Sequence, residues 1–469
     1  MPWTPKTTKP VLTARIPCHP FGDPKARRIV SYDEYVNTGG YAGLRKAVTM
    51  SPDAVVEEVK KSQLRGRGGA GFPTGLKWTF LPKPDANGDG GVRYLAVNAD
   101  ESEPGTFKDR LLMDFDPHLV LEGIAICCYA CRIPTAYFYI RGEYHHQAAV
   151  MENAIREAYE HGIFGRQGLL AGSKTANPFN NGKFAVDCYL HRGAGAYICG
   201  EETGLLESLE GKRGWPRNKP PFPAIKGLFG RPTIINNVET LAHVPSIVEN
   251  GAAWFATTGT ESSFKGAPPS YGTKLMGVSG HVARPGVYEC DLGIPLRVLV
   301  EQYCGGMRNG KKYKGAIPGG VSMGILGPDQ FDAELDFDIG RKYNVLGLGT
   351  AGPTVFDEDT DMVAVARNIA RFFKHESCGQ CTPCREGSGW LYQLMSRIET
   401  GDAKTKDLDL AVEIATSMGT MPGTTICGLA DGNNWAVRTI MNKYWDEFTA
   451  RVKPTFVPVR VTVGAAAND

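Results

Sequence analysis

Three cysteines stand at regular spacing in the segment HESCGQCTPCREG at 375–387: Cys378, Cys381 and Cys384. A fourth, Cys427, follows in the segment TTICGLADG. Three crowded thiolates and one distant thiolate together supply the four sulfurs that hold a [4Fe–4S] cluster. Zinc sites more often use two separate C-x-x-C pairs, and disulfide frameworks spread their cysteines out. The spacing therefore predicts a [4Fe–4S] cluster, with a zinc site or unliganded buried cysteines as alternatives.

A glycine-rich loop, GRGGAGFPTGLKW at 66–78, has the composition of a phosphate-binding turn. Glycines allow backbone amides to approach a phosphate, and Arg67 and Lys77 add positive charge. The loop is not a Walker A motif, because no Ser or Thr follows the lysine to hold magnesium. It also lacks a strict G-x-G-x-x-G pattern, and a flexible loop without a ligand is the alternative. The glycines expected to face the phosphate are Gly66, Gly68, Gly69 and Gly71.

An acidic run, NADESEPGTFKDR at 98–110, follows a predicted strand at 92–98. Asp100, Glu101 and Glu103 then lie at the carboxyl edge of a sheet, where α/β folds bind ligands. Carboxylates in this position accept hydrogen bonds from ribose hydroxyls and repel a 2′-phosphate, so they favour NAD over NADP. By itself, the run could equally be a solvated acidic loop.

Two more polar segments complete a predicted pocket. The turn GAGAYICGEETGLLESLEG at 193–211 carries Glu201 and Glu202 just before a helix. The segment IINNVETL at 234–241 offers amide and hydroxyl groups that suit the heteroatoms of a flavin, from Asn236, Asn237 and Thr240. Each signal is weak alone, but together with the glycine-rich loop and the acidic run they outline one polar pocket.

The elements that position these residues follow from hydrophobic periodicity. Predicted strands at 92–98, 135–141 and 184–193 alternate with predicted helices at 117–132 and 145–162, which indicates an α/β domain with a mostly parallel sheet. Four amphipathic segments after position 360 predict a helical bundle, with the three-cysteine loop between its first two helices. The predicted domains are an α/β domain with an N-terminal extension at 1–265, a small α+β domain at 266–355, the bundle at 356–452 and a tail at 453–469.

Composition narrows the classes of function. The net charge of +2 gives no electrostatic case for binding nucleic acid or an anionic membrane. The N-terminal segment lacks the apolar core of a signal peptide, and the most apolar stretch, 119–133, is too short to cross a bilayer. Twelve cysteines in 469 residues do not suggest a secreted disulfide scaffold, so a reducing compartment fits better.

All five motifs, in their order along the chain, resemble the NADH-binding flavoprotein subunit of respiratory complex I, the 51-kDa or F subunit. The resemblance covers roughly residues 30–450. Similar subunits serve NAD-linked hydrogenases and NAD-dependent formate dehydrogenases, but many of these carry an extra thioredoxin-like domain first. We see no room for such a domain in this chain, which favours complex I.

The resemblance implies a Rossmann-like domain for FMN and NADH, a β-grasp (soluble-ligand-binding) domain and an iron–sulfur bundle. It further implies non-covalent FMN, one [4Fe–4S] cluster held by Cys378, Cys381, Cys384 and Cys427, and NADH as donor. The FMN side would comprise Gly66, Arg67, Gly68, Gly69, Ala70, Gly71, Lys77, Asn98, Asp100, Glu101, Gly200, Glu201, Asn236, Asn237 and Thr240. The NADH side would comprise Phe72, Phe80, Glu103, Glu202, Lys219 and Phe222.

The implied reaction needs no general acid or base, because hydride passes directly from NADH to FMN, and we expect no catalytic side chain. Electrons would leave singly through the cluster towards quinone. The implied partners are a 24-kDa-type [2Fe–2S] thioredoxin-like subunit and a 75-kDa-type iron–sulfur subunit, on the cytoplasmic face of the cell membrane without membrane insertion. A structural iron–sulfur or zinc protein without redox catalysis is the alternative from a different class.

Overall fold

The computed structural model describes residues 3–7, 9–83, 91–165, 185–262, 264–419 and 424–454. Of the predicted tail at 453–469, all but the first two residues lie outside these ranges. Within them, none of the helices combines the length and the apolar character that a segment crossing a bilayer needs.

A parallel sheet forms the centre of the N-terminal unit, with strands β1 (Tyr94–Ala99), β2 (Thr135–Ile140), β3 (Asp187–Arg192) and β4 (Thr233–Asn237). Their order across the sheet is β3-β2-β1-β4. Leu95, Ala96 and Val97 of β1 are fully buried, because both faces of a parallel sheet are covered. The predicted α/β architecture with a parallel sheet is confirmed.

Four helices precede this sheet along the chain, and the other helices of the unit lie between or after its strands. The most buried is the one over Pro117–Cys131, in which every residue is buried. Gly123 lets it approach the helix at Val238–Asn250, since a Cβ there would lie 2.1 Å from the Leu241 carbonyl oxygen. The helices are α1 (Tyr32–Asn37), α2 (Ala42–Ala47), α3 (Pro52–Lys61), α4 (Thr74–Trp78), α5 (Asp109–Phe115), α6 (Pro117–Cys131), α7 (His145–Glu160), α8 (Glu202–Leu209), α9 (Pro223–Lys226), α10 (Val238–Asn250) and α11 (Ala252–Phe255).

The strand order creates a switch point between β1 and β4. The chain leaves β1 towards β2 and β3 on one side, and then returns to place β4 on the other side of β1. Asn98 and Asn237 pair in register at the carboxyl ends of these two strands. Parallel sheets open a crevice where the chain direction reverses in this way, and ligands bind there.

The second unit is built on a mixed sheet that follows a short hairpin of β5 (Gly259–Thr260) and β6 (Ser270–Tyr271). The sheet contains β7 (Thr273–Gly280), β8 (Gly286–Asp291), β9 (Tyr313–Ile317) and β10 (Thr354–Asp357). Their order is β8-β7-β10-β9, with β7 parallel to β10 and the other pairs antiparallel. The helices of this unit are α12 (Leu296–Val298), with a π-helical turn at Leu299–Tyr303, and α13 (Gly340–Tyr343). The segments TKLMGVSG, GVYECDL and PLRVLVEQYCGG predict β7, β8 and α12, whereas no strand is predicted at β9 or β10.

The C-terminal unit is the predicted bundle, with one correction to its cysteine segment. Cys384 lies in the first helical turn after Cys381, so the three cysteines are not all in a loop. Successive helices pack against each other, and the loop with Cys427 returns to the end of the bundle that carries Cys378. The helices are α14 (Met362–Glu376), α15 (Thr382–Glu399), α16 (Thr405–Gly419), α17 (Leu429–Lys443) and α18 (Trp445–Thr449).

Asp116, between α5 and α6, is a completely buried carboxyl group in the core of the N-terminal unit. Arg15 Nη1 lies 4.0 Å from its Oδ2. Burial nevertheless raises the pKa of Asp116 from an ordinary 3.8 to about 7. Between these two values the folded chain binds a proton that the unfolded chain does not, so stability is lost as the pH rises through this window.

We expect Asp116→Asn to reduce the loss of thermal stability between pH 4 and pH 8. The shift corresponds to about 4 kcal/mol when the carboxyl is fully ionised. The midpoint of thermal unfolding should therefore be higher for Asp116→Asn than for the unmutated protein at pH 8, and similar at pH 4. Asp409→Asn, at an exposed aspartate, is the matched control. Identical pH profiles for all three proteins would contradict the prediction.

Candidate cofactor site

A cavity with two lobes opens at the switch point between β1 and β4. The larger lobe, of about 270 Å³, lies against the acidic run, the turn at Tyr197–Gly200 and the loop around Cys427. The smaller lobe, of about 160 Å³, lies against the glycine-rich loop and β4. Ligand pockets commonly measure about 300–1,000 Å³, so the two lobes together offer space for one cofactor. Both lobes are lined by Gly68, Asn98, Gly200 and Asn237.

Two glycines of the glycine-rich loop make close approaches to their neighbours. Gly71 has φ +64°, and a Cβ there would lie 2.8 Å from the Phe337 ring. A Cβ at Gly68 would lie 3.0 Å from the Asn237 Cβ, so this glycine lets the loop pack against the end of β4. The loop thus forms part of the wall of the smaller lobe, and its Gly66 amide is already bonded to the Phe72 carbonyl oxygen at 2.8 Å. Its other predicted members, Gly66, Gly69 and Ala70, line the same lobe.

Arg67 does not bring its charge to the cavity, contrary to our expectation. Its side chain is fully buried and donates to the carbonyl oxygens of Arg65 (2.8 Å), Tyr271 (2.7 Å) and Thr273 (3.0 Å). Burial lowers the pKa of Arg67 to about 10. Its backbone amide donates to Thr240 Oγ1 at 2.8 Å, which ties the loop to α10. Arg67 therefore holds the loop to its neighbours.

Two lysines do place positive charge at the cavity. Lys77 lines the smaller lobe, donates to the Ile235 carbonyl oxygen at 3.2 Å and lies 4.0 Å from Glu202. Lys108, which we did not predict, lines the larger lobe with its side chain almost completely buried. Burial acts to lower the pKa of Lys108, but Asp109 and Glu239 outweigh this effect and raise it. The signal was a lysine inside the acidic run, next to an aspartate that begins a helix.

The carboxyl groups of the acidic run have different partners. Glu101 accepts hydrogen bonds from the backbone amides of Asp109 (2.7 Å) and Arg110 (3.2 Å), so it caps α5. Asp100 accepts a long hydrogen bond from Ser102 Oγ at 3.4 Å, and burial raises the pKa of Asp100 to about 7. The expectation that Glu101 offers its carboxylate to a ribose is therefore not met, whereas Asp100 remains available to a ligand.

Glu103 connects the first unit to the second. Its carboxylate accepts hydrogen bonds from the Ser322 amide (2.8 Å), the Ser322 hydroxyl (3.0 Å) and the Tyr197 hydroxyl. Burial raises the pKa of Glu103 despite these bonds. Glu103 lines the larger lobe, but its oxygens are occupied by the protein. This arrangement removes the reason to expect Glu103 to select between NADH and NADPH.

The amide and hydroxyl groups predicted for a flavin also lie at the cavity. Asn236 Oδ1 accepts from Trp78 Nε1 at 2.9 Å, and Asn237 Nδ2 donates to Asp109 Oδ2 at 2.8 Å. Asn98 Nδ2 donates to the Gly200 carbonyl oxygen at 2.9 Å. These bonds fix the orientation of the side chains, so the polar wall is already ordered before any ligand binds. Asn236, Asn237 and Thr240 line the smaller lobe.

Two of the residues predicted for NADH, Phe72 and Phe80, place exposed rings at an open mouth of the smaller lobe. The rings of Phe72 and Phe80 lie 5.9 Å apart and are 41% and 47% exposed, and Phe222 is 57% exposed. Lys219 Nζ donates to Glu201 (2.8 Å) and Glu202 (2.9 Å). Burial acts to lower the pKa of Lys219, but the two glutamates raise it. Phe72 and Glu202 line the smaller lobe, whereas Phe80, Phe222 and Lys219 lie outside both lobes.

The four predicted cluster ligands line one small cavity of about 10 Å³. Burial raises the pKa of Cys384, and it raises the pKa of Cys427 to about 12, so their thiolates need a bound cation. The Ile426 amide donates to Cys381 Sγ at 3.3 Å, which ties the loop before Cys427 to the other cysteines. Among the described residues, no three side chains of the His, Cys, Asp and Glu types are arranged to hold a single metal ion. The donor set, four sulfurs around one cavity, fits a cluster.

The cysteine cavity and the larger lobe share a wall. Ile198, Cys427 and Leu429 line both of them. A group bound in the larger lobe and a group bound by the cysteines are therefore neighbours, although their ligands come from different units of the chain.

Comparisons with known proteins agree with this arrangement. Residues 59–246 match the family described as the Nuo51 FMN-binding domain, 275–326 match the SLBB domain, and 364–451 match the NADH-ubiquinone oxidoreductase-F iron-sulfur binding region. These matches confirm the prediction of FMN and a [4Fe–4S] cluster as cofactors, and they favour the cluster over zinc.

Relatives of known name match nearly the whole chain. The second of two NADH-quinone oxidoreductase F subunits of Rhizobium meliloti is 48% identical over 90% of this chain and 95% of its own length. The mitochondrial NADH dehydrogenase [ubiquinone] flavoprotein 1 of Dictyostelium discoideum is 46% identical over 88% of this chain and 82% of its own. A structure of NAD⁺-reducing [NiFe]-hydrogenase in the H₂-reduced state superposes with a TM-score of 0.76 at 34% identity, covering 91% of this chain and 67% of the other. With this similarity along its length, and with the cavity and the cysteines placed side by side, the chain belongs to the family of NADH-quinone oxidoreductase F subunits.

Proposed function

We propose that this chain is the NADH-oxidising flavoprotein subunit of a respiratory complex I. It binds FMN in the two-lobed cavity, receives electrons from NADH at the open mouth and passes them singly through a [4Fe–4S] cluster. The observation that carries this proposal is the wall of Ile198, Cys427 and Leu429, which the larger lobe and the cysteine cavity share. Neighbouring sites are what a relay of electrons between two cofactors requires.

The chemistry of the two groups explains why both sites occur in one chain. When bound, FMN accepts two electrons together as hydride and releases them one at a time, so it matches NADH to a one-electron cluster. The protein binds and orients these groups. The amides of the glycine-rich loop and Lys77 suit a phosphate at the smaller lobe, while Asn98, Asn236 and Asn237 present fixed polar groups to a ring system.

The open mouth suits a ligand that binds and leaves in every turnover. Exposed aromatic rings at Phe72, Phe80 and Phe222 offer faces on which an adenine can stack. Glu202 lines the smaller lobe, where Lys219 Nζ lies 2.9 Å and Lys77 Nζ 4.0 Å from its carboxylate. Glu201 is occupied, because it caps α8 and accepts from Lys219. We therefore assign the selection of NADH over NADPH to Glu202.

The exit for electrons is the surface next to the cysteines. Cys378 and Cys381 are half-exposed, and Trp215, 40% exposed, donates its indole N–H to the Cys378 carbonyl oxygen at 3.1 Å. We propose that a 24-kDa-type [2Fe–2S] subunit and a 75-kDa-type iron–sulfur subunit dock around this region. The assembled complex would then lie on the inner, cytoplasmic face of the cell membrane and deliver electrons to quinone.

The hydrogenase structure supports a second candidate. Its similarity over 91% of this chain is what a diaphorase subunit of an NAD-linked hydrogenase or formate dehydrogenase would also show. The identity is lower there, at 34% against 48% for the quinone oxidoreductase relative, which favours complex I. Metal analysis of the natively purified assembly tests for the hydrogenase: stoichiometric nickel would indicate one.

The isolated chain, loaded with FMN and cluster, should lose its flavin absorbance within the mixing time when NADH is added without oxygen. It should also reduce ferricyanide with NADH, and reduce a quinone much more slowly. The measurement is anaerobic stopped-flow absorbance, with buffer lacking NADH as control. If loaded protein shows no bleaching, the NADH site is incomplete in this chain alone and the proposed function fails for the isolated chain.

Cys381→Ser should abolish the paramagnetic resonance signal of the reduced cluster and leave FMN bound. The reason is that the cysteine cavity and the smaller lobe are built by different units. Cys18→Ser, at an exposed cysteine in the N-terminal segment, is the matched control and should keep both groups. A normal cluster spectrum in Cys381→Ser would show that Cys381 is not a ligand of the cluster.

Glu202→Gln should narrow the preference for NADH over NADPH. Contact between a carboxylate and a 2′-phosphate costs about 2–4 kcal/mol, a factor of roughly 30 to 1,000 in affinity, and removing one charge should recover about tenfold. Glu103→Gln is the comparison, because the partners of Glu103 are Ser322 and Tyr197. Steady-state kcat/KM for both nucleotides is measured. A larger change in Glu103→Gln than in Glu202→Gln would reverse our assignment.

A further inference from the structure

A buried chain of ionic contacts leads from the second unit to the wall of the larger lobe. Lys274, on β7, donates to Glu239 Oε2, and Lys108 Nζ lies 2.9 Å from the same oxygen. Lys108 also donates to Asp109 Oδ1 at 2.8 Å and to Asn237 Oδ1 at 3.4 Å. Lys108, Asp109 and Asn237 line the larger lobe, whereas Lys274 lies behind them.

The charges in this chain of contacts balance only when Lys274 is protonated. Lys274 and Glu239 are completely buried, and the side chains of Lys108 and Asp109 are at most 4% exposed. With the buried Arg67 and Glu101 included, three cationic groups then face three carboxylates, and the loss of the Lys274 proton leaves one net negative charge beside the lobe. In so dry an environment a single charge acts far more strongly than it does in water.

On the basis of the proposed function, we propose that Lys274 is a positioning residue of the flavin site, which acts through Glu239 and Lys108. By neutralising Glu239 it leaves the charge of Lys108 available to the lobe, and its protonation sets how strongly the site prefers the reduced cofactor. A hydride delivered to FMN would add two electrons and one proton, and therefore one negative charge, to the group that this wall holds. A wall without net charge does not repel that added negative charge. A negatively charged wall repels it and so disfavours reduced FMN.

The surroundings of Lys274 allow it to titrate near neutral pH. Burial lowers the pKa of Lys274 to about 7. Burial acts to raise the pKa of Glu239, but Lys108 and Lys274 outweigh it and lower the value to about 2, so Glu239 stays ionised. Burial lowers the pKa of His243 well below its ordinary value, so its ring stays neutral. The groups that face Lys274 are Glu239 and His243 from α10, Lys108 and Asp109 from the start of α5, Arg67 from the glycine-rich loop, and Cys290 opposite it on β8.

The test is the midpoint potential of bound FMN as a function of pH, measured by anaerobic spectroelectrochemistry on the FMN-loaded full chain. Lys274→Arg keeps the positive charge at every pH, and Lys274→Gln removes it. At pH 6 the midpoint potential of the unmutated protein should equal that of Lys274→Arg. At pH 9 it should approach that of Lys274→Gln. At pH 6 the midpoint potential of Lys274→Gln should be at least about 30 mV lower than that of the unmutated protein. For a two-electron couple this shift is a tenfold weaker preference for reduced FMN over oxidised FMN.

Lys443→Gln is the matched control. Lys443 is half-buried, donates to Gln330 Oε1 at 2.7 Å and lies away from both lobes, so its replacement by glutamine should leave the potential unchanged. One common potential for the unmutated protein and both Lys274 variants at every pH overturns the inference. If Lys274→Gln does not fold, the midpoint potentials of Lys274→Arg and the unmutated protein at pH 9 provide the test. The potential of Lys274→Arg should then be the higher of the two. Failure of the unmutated protein to retain FMN overturns the proposed function and this inference with it.

Discussion

The cavity depends on carboxylates that bond across the boundaries between units. Glu239 is completely buried and accepts hydrogen bonds from Lys274 and from the Leu275 amide of the second unit. A buried carboxylate without such partners costs several kcal/mol, so the N-terminal unit would be left with this cost if the second unit moved away. Glu103 adds a second connection through Ser322. The walls of the cavity are therefore fixed relative to one another before any cofactor binds.

The same interactions explain which parts of the site could be read from the sequence. The convergence of Cys427 on Cys378, Cys381 and Cys384 was predictable, because periodicity defines four helices and a bundle with short connections returns alternate loops to one end. The position of the polar pocket was predictable too, since strands that alternate with helices put their carboxyl ends at one edge. Both arguments rest on patterns that extend over many residues, and no single contact made during folding can change such a pattern.

The direction in which a single charged side chain points depends on contacts with residues elsewhere in the fold. The local sequence pattern does not reveal these contacts. Arg67 looks like a phosphate ligand in its loop, yet its guanidinium finds three carbonyl oxygens, two of them from residues about 200 positions away. Glu101 looks like a ribose acceptor, but α5 begins beside it and offers two unpaired amides. The strands β9 and β10 escaped prediction for a related reason: they are short, and their pairing joins distant parts of the chain.

Exposure separates the two ligands that the site handles. The groups predicted for the resident cofactor include Asn236 and Thr240, which are at most 5% exposed and already hydrogen-bonded. The rings predicted for the exchanging nucleotide are between 41% and 57% exposed. A preordered, buried polar wall loses little entropy on binding and so holds a group tightly, whereas an open aromatic surface contributes stacking without enclosing its ligand. An oxidoreductase that must keep its flavin and release its nucleotide in every cycle needs this difference, and here both surfaces adjoin one glycine-rich loop, with Gly68 against β4 and Phe72 at the mouth.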